Sequence, residues 1–173
     1  LVKMLSSSLL IPEWSWPANL NVFFNSDLNL RNFQTVEIPV ARQDVIHSGL
    51  DLAKFTFDRP SAKQTGLSIL VPGRIEPNKG QMDVVQLMLE LKRAGVNATA
   101  KIVGDRWNTE YYARLESVIG QKGLEHDIFI LPMASSRALI DLYHQADICF
   151  FPSYHRTGFS RIPVEAMACG SVV

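Results

Sequence analysis

Two short stretches of this sequence hold residues whose types and spacing suit work on a phosphorylated ligand. The first reads Pro72-Gly73-Arg74-Ile75-Glu76-Pro77-Asn78-Lys79-Gly80. Gly73 lets backbone come close to a ligand, Arg74 offers a planar fork of donors, and Lys79 adds a point charge just ahead of an expected helix. Two cations beside a helix N-terminus make a diphosphate clamp. The same residues also suit a solvated turn carrying ordinary surface charge. The second stretch runs from Pro152 to Gly170. Exposed amides of Gly158, Phe159 and Ser160 at a helix start favour an anion, and His155 in the same loop is placed to touch a phosphate or a sugar. Glu165 stands among apolar residues, where a carboxylate needs a partner. Either the paired hydroxyls of a ligand or a neighbouring arginine would serve.

Other chemistries find less support. Lys79-Gly80 lacks the Gly-Lys-Ser/Thr ending of a Walker A loop, and no Gly-x-Gly-x-x-Gly fingerprint occurs. His47, His126, His144 and His155 are scattered, so no metal site is expected, and His144 reads as structural on an amphipathic helix. Ser153, His155 and Asp147 lack the nucleophile-elbow pattern of a hydrolase triad. Tyr111, Tyr112, Phe129, Phe150 and Phe151 read as core or interface packing, and Cys149 and Cys169 as small apolar fillers. Arg106-Trp107, after an expected strand, reads as a surface turn, with a place bordering the site as the alternative.

The elements that must position these loops follow from periodicity. From Gly66 onward, apolar runs at 67–71, 98–103, 128–131 and 148–151 alternate with helix-spaced stretches at 80–94, 109–119 and 139–143, the last capped by Ser135 or Ser136. A short helix over 163–168 and a fifth strand from Ser171 complete the series. Strands that are apolar on both faces and alternate with helices predict an α/β fold, a doubly wound parallel sheet of Rossmann-like type. In such a sheet ligands bind beyond the carboxyl ends of the strands, where strand order reverses. With the usual order 3-2-1-4-5, that point lies between the loops Pro72–Gly80 and Pro152–Phe159. Upstream, Leu20–Phe24 reads as a short strand, Asn25-Ser26-Asp27 as a cap for a helix over 28–33, and Val36–Val40 and Val45-Ile46 as extended pieces. Arg59–Gln64 reads as a polar linker.

Composition bounds the rest. At 173 residues the chain has room for about one domain, and 47% apolar residues suffice for a core. Seventeen basic and seventeen acidic side chains leave no net charge for wrapping nucleic acid. Two cysteines are too few for a disulfide scaffold and point to a cytoplasmic chain. No run reaches the roughly 18 apolar residues of a membrane span. Leu1 at the start and the apolar Ser171-Val172-Val173 at the end lead us to expect a piece of a longer protein.

Several of these segments, taken in order, resemble the retaining glycosyltransferases of the GT-B fold, most nearly the family-4 group that uses nucleotide-sugar donors. They are Gly73-Arg74 with Lys79-Gly80, Val103-Gly104-Asp105, Ala146-Asp147 leading to Phe151-Pro152-Ser153, Gly158-Phe159, and Glu165-Ala166-Met167-Ala168-Cys169-Gly170. Val45–Asp51 with Phe55 resembles that group's interdomain crossing. The resemblance implies the tail of an N-terminal acceptor domain and the crossing over residues 1–46, and a nucleotide-sugar-binding domain over 47–173. It assigns the donor diphosphate to Arg74 and Lys79 and the ribose to Glu165. Gly73, Gly158, Phe159, Ser160 and His155 would line the sugar and phosphates, and Met133 would border the base. The family's Glu-x7-Glu signature has Thr157 at its first position, and the loop before it is one residue longer than is common. Thr157 can hydrogen-bond a sugar hydroxyl but brings no charge. The implied reaction is retaining transfer of a hexosyl group from a UDP-, GDP- or ADP-sugar to a glycan, lipid-linked or small-molecule acceptor. It needs no metal or other cofactor, and any association with the membrane face would belong to an absent N-terminal domain. The isolated chain is expected to bind nucleotide weakly and transfer nothing. A nucleotide-sugar epimerase and a non-catalytic binding or assembly module of the same fold are the alternatives.

Overall fold

The computed structural model describes residues 17, 19–36, 38–58, 65–154 and 158–173. These fall into two compact units: one takes the residues up to Gly49 together with Gly158–Ser160, the other the residues from Leu50 to Tyr154 and Arg161–Val173. The expected linker at 59–64 lies outside the described residues.

The smaller unit is a single strand–helix–strand turn. Strand β1 (Asn21–Phe24) runs parallel to β2 (Arg42–Val45) with Asn21 opposite Arg42 and Phe24 opposite Val45. Between them helix α1 (Asp27–Gln34) starts at Ser26, whose hydroxyl accepts from the Asn29 amide as the expected cap. Phe24 and Phe33 pack with ring centroids 5.0 Å apart. The second strand differs from the sequence reading. It is not the apolar stretch around Ile38, where Pro39 has no N–H to give to a ladder, but Arg-Gln-Asp-Val, whose first three residues are exposed. Its position is fixed by backbone pairing, extended at each end by Ala41 N–H to Leu20 and Ile46 N–H to Phe24.

The larger unit holds the doubly wound sheet. Strands β3 (Leu67–Pro72), β4 (Ala98–Val103), β5 (Ile128–Leu131) and β6 (Ile148–Cys149) are all parallel, in the order β5-β4-β3-β6. Val172 bridges to Ile148 on the outer side of β6, so the chain's end starts the fifth position. The expected order is therefore observed. β6 is two residues long rather than four, although Phe150 N–H still reaches the Leu70 carbonyl at 2.8 Å.

Alternation along β3 and β4 sorts the core into two layers. Ile69, Val71, Ala100 and Ile102 face one side, where helices α2 (Gln81–Arg93) and α3 (Thr109–Gln121) bring Val84, Val85, Met88, Tyr111, Tyr112, Leu115 and Ile119. Leu70 and Val103 face the other, with Ile140 and Tyr143 of α4 (Ser136–Gln145) and Ala166 of α5 (Arg161–Ala168). Ser135 caps α4 by accepting from the Ala138 amide. Phe55 joins this second layer, and His144 Nε2–H donates to the Thr56 carbonyl at 2.7 Å, the structural role expected of it. Phe129 departs from the packing role expected of it: it sits on the outermost strand and is 41% exposed. Among the described residues no helix is long and apolar enough to cross a membrane.

Cys149 and Cys169 fill the second layer as unpaired, fully buried thiols. Burial, reinforced by the nearby Glu165 carboxylate, pushes the Cys149 thiol from its usual 9.0 up to about 12 and moves Cys169 the same way. A raised native pKa stabilises the fold fully below the unfolded value and is lost as pH climbs through the native one. The Cys149 contribution is thus whole below about pH 9 and disappears toward pH 12, at no more than about 1.4 kcal/mol per pH unit. Urea unfolding across that range should show stability falling, with a shallower fall in Cys149→Ala. Parallel curves for the two proteins would contradict the assignment.

Candidate functional site

The loop leaving β3 is fixed mainly by the loop leaving β4. Gly73 N–H donates to Val103, Ile75 N–H to Asp105, and Asn108 N–H back to Ile75. Ile75 itself is fully buried, pinning the loop between its two charged neighbours. Gly104 packs so tightly on the Gly73 carbonyl that a methyl group there would overlap it. Within this frame the Arg74 carbonyl accepts from Gln81 Nε2 at 2.9 Å. Its guanidinium lies 3.0 Å from Glu76 Oε1 and 4.9 Å from the centre of the Trp107 ring.

A single 3₁₀ turn, Pro77–Lys79, then carries the chain to Lys79, which is half-buried and, among the described residues, in no ion pair. Gly80 follows with φ of +69°, and any side chain there would overlap the Pro152 carbonyl. That contact joins the loop after β3 to the loop after β6. Tyr154 N–H donates to the Asn78 carbonyl at 3.0 Å, Ser153 Oγ approaches the same oxygen at 3.5 Å, and the Tyr154 hydroxyl donates to the Asp83 carboxylate. Gly73, Arg74 and Lys79 therefore stand with Pro152–Tyr154 at the carboxyl edge of β3 and β6, where strand order reverses.

The start of α2 gives less to a ligand than the sequence implied. The Met82 amide donates to the Tyr111 hydroxyl at 3.1 Å and the Asp83 amide to the Gly80 carbonyl at 2.9 Å. Charge for an anion must come chiefly from Arg74 and Lys79. Met133 is 74% exposed after β5, at the same edge of the sheet and two strands from β3, about 10 Å away at ordinary strand spacing.

Glu165 is buried on α5, with both carboxylate oxygens engaged. Oε1 pairs with Arg161 Nη2 at 2.9 Å, and Oε2 accepts from the Tyr143 hydroxyl at 3.1 Å. The arginine partner weighed from the sequence is present; Tyr143 was read only as core. Burial, with Glu165 beside it, raises the Tyr143 phenol well above its usual range, so it remains a donor. Gly158, Phe159 and Ser160 belong to the smaller unit, where the Phe159 ring lies 6.5 Å from that of His47. His155 and Thr157 lie outside the described residues. Sequence reasoning undervalued Trp107; the signal was an aromatic residue placed directly after a strand, at the edge where ligands bind. Among the described residues, no group of three or more His, Cys, Asp or Glu side chains is gathered as a metal would require.

A parallel sheet in this order, with helices on both faces, is the α/β architecture of the Rossmann-like C-terminal domains of GT-B glycosyltransferases. The family model for glycosyl transferases group 1 matches residues 54–173, and the chain belongs to that family. It is 33% identical over 139 residues to D-inositol 3-phosphate glycosyltransferase of Mycolicibacterium gilvum (strain PYR-GCK), covering 76% of this chain and 31% of the relative. The chain thus spans about a third of the length of the curated relatives it matches. Among solved structures it resembles Anabaena Alr3699/HepE in complex with UDP-glucose, at 23% identity and a TM-score of 0.77, over 90% of this chain and 44% of that one. It also resembles the C-terminal domain of a glycosyl transferase group 1 family protein (LpcC) from Francisella tularensis. There the TM-score is 0.61 and the identity 26%, over 71% of this chain and 68% of that one.

The Tyr143–Glu165 bond gives a stability prediction. Tyr143→Phe keeps the packing and removes one buried hydrogen bond to a carboxylate, which should cost about 1.5–3 kcal/mol. Urea denaturation of the two proteins measures this. A loss well under 1 kcal/mol would mean that Arg161 alone satisfies the carboxylate.

Proposed function

We propose that this chain is the donor-binding part of a retaining, family-4-type glycosyltransferase that uses a uridine-diphosphate sugar. The observation that carries the reading is the placement of Arg74 and Lys79 on one loop, docked against the loop after β6 at the sheet's switch point. In this reading Arg74 and Lys79 hold the diphosphate, Glu165 the ribose hydroxyls, and Met133 borders the base. Gly73, His155, Thr157 and Gly158–Ser160 serve the sugar and phosphates. Residues 1–46 belong with the acceptor domain and crossing, and 47–173 with the donor domain. The choice of uridine is supported by the UDP and UDP-glucose of the Anabaena HepE structures.

Mechanistically, the difficult moment is departure of the nucleoside diphosphate, which gathers negative charge as the hexosyl bond breaks. Cations already held in place stabilise that charge without reorganisation. Arg74 and Lys79 supply them, and no metal is invoked. The leaving phosphate is itself the base that receives the acceptor hydroxyl's proton as the new glycosidic bond forms on the same face. Glu165, paired with Arg161 and Tyr143, has its carboxylate held in one orientation, and further lone pairs remain on each oxygen for ribose hydroxyls.

Calorimetric titration of UDP, GDP and ADP into the chain tests the reading, after circular dichroism has shown each variant to be folded. We expect UDP to bind, with no change on adding EDTA, and an Arg74→Ala/Lys79→Ala double variant to bind none. Removing two charge-assisted contacts costs on the order of 3–6 kcal/mol at most, enough to take weak binding below detection. A folded wild-type chain that binds none of the three nucleotides would instead favour a non-catalytic module, the reading to which Thr157 in place of a glutamate also points.

A further inference from the structure

We propose that Trp107 is a positioning residue for Arg74, holding its guanidinium ready for the donor diphosphate; this rests on the reading that Arg74 binds that diphosphate. Trp107 is 63% exposed, so its ring is not placed there by core packing. Its backbone is nevertheless tightly held. Its own N–H donates to the Asp105 carbonyl at 2.9 Å, and the next residue, Asn108, donates its N–H to Ile75 and caps α3 by accepting from the Tyr111 amide at 2.8 Å. The ring is thus mounted on the two loops that frame Arg74, and the guanidinium lies over it at 4.9 Å. The neighbouring cation is committed elsewhere, with the Arg106 guanidinium over the Tyr112 ring at 4.1 Å.

What the stack leaves unspent is the point. A guanidinium over an aromatic face is attracted by the ring's quadrupole, a contact that takes no N–H group into a hydrogen bond with an oxygen acceptor. On its other partner, Glu76 Oε1 lies 3.0 Å from one terminal nitrogen, Nη2. That ion pair engages one of the three guanidinium nitrogens, and among the described residues Nε and Nη1 have no acceptor. Arg74 therefore has a fixed place and donors to give, and ordering so flexible a side chain before the ligand arrives lowers what binding must spend on it.

The test compares UDP with uridine, which has no phosphate for Arg74 to meet, using calorimetry for the first and ligand-observed NMR for the second. Trp107→Ala should weaken UDP about two- to fivefold and leave uridine unchanged. Trp107→Phe, which keeps a ring, should recover most of the loss. In an Arg74→Ala background Trp107→Ala should have no further effect. If Trp107→Ala weakens UDP and uridine alike, or still weakens UDP when Arg74 is absent, the ring acts other than through Arg74 and the proposal falls. If Trp107→Ala binds UDP as wild type does while Arg74→Ala does not, the proposal falls and the diphosphate reading stands. If Arg74→Ala itself leaves UDP binding intact, or the wild type binds no UDP, both fall together.

Discussion

Strand β3 is buried along five of its six residues, and the larger unit is organised by that one constraint. A strand covered on both faces must have a helical layer on each side and a hydrogen-bonded neighbour at each edge. β4 supplies one edge over six paired residues and β6 the other over two. The alternation of Ile69 and Val71 against Leu70 decides which helices share a core. The same strand delivers Gly73 and Arg74 at its carboxyl end, so the position of the proposed diphosphate-binding side chains follows from how deeply the strand before them is buried.

Around that strand, charge is handled in two different ways. Arg74 is held by contacts that leave most of its donors available, an aromatic face and an ion pair to one terminal nitrogen. Glu165 is held on both carboxylate oxygens, by an ion pair with Arg161 on Oε1 and a hydrogen bond from Tyr143 on Oε2. The difference follows exposure. A half-exposed cation can keep part of its solvation while it waits for a ligand, whereas a buried carboxylate without partners would be costly. The buried thiols beside Glu165 show the same local field, because a carboxylate already in the layer makes a second negative charge there harder to form.

Much of this architecture could be read from the residues. The runs at 98–103 and 128–131 became strands with those boundaries, because strands buried on both faces need continuous apolar sequence. The caps were visible to within a residue, in Asn25-Ser26-Asp27 and in Ser135 or Ser136, as side chains suited to orphan amides, and the fold selects Ser26 and Ser135. The edges were harder. Arg42–Val45 carries no apolar period, since it is held by backbone pairing, and Phe129 is apolar yet exposed because its strand lies outermost. Within the site, Arg74 and Lys79 stood out by charge and spacing. The partners of Glu165 were half legible: Arg161 lies four residues away on the same helix, but Tyr143 comes from another helix, and only the fold brings it near. Trp107 was visible as an aromatic residue after a strand, but its relation to Arg74 was not, since that depends on two adjacent loops touching rather than on any spacing along the chain.

The strand order has a consequence for how the chain reaches this state. β3 meets β4 through partners such as Leu67 and Ala98, joined by a single helical crossover. Its other edge waits for a segment much farther along, and the Ser68 amide bonds to Asp147 across a separation of 79 residues. Closing the longer loop costs more entropy, but loop closure grows only with the logarithm of length, so the excess is below about 1 kcal/mol. Its weight falls on kinetics instead, because distant pairings slow folding. The seam between β3 and β6, beyond which the loops after these strands meet, is therefore the part of the sheet whose assembly has the longest stretch of chain to gather in.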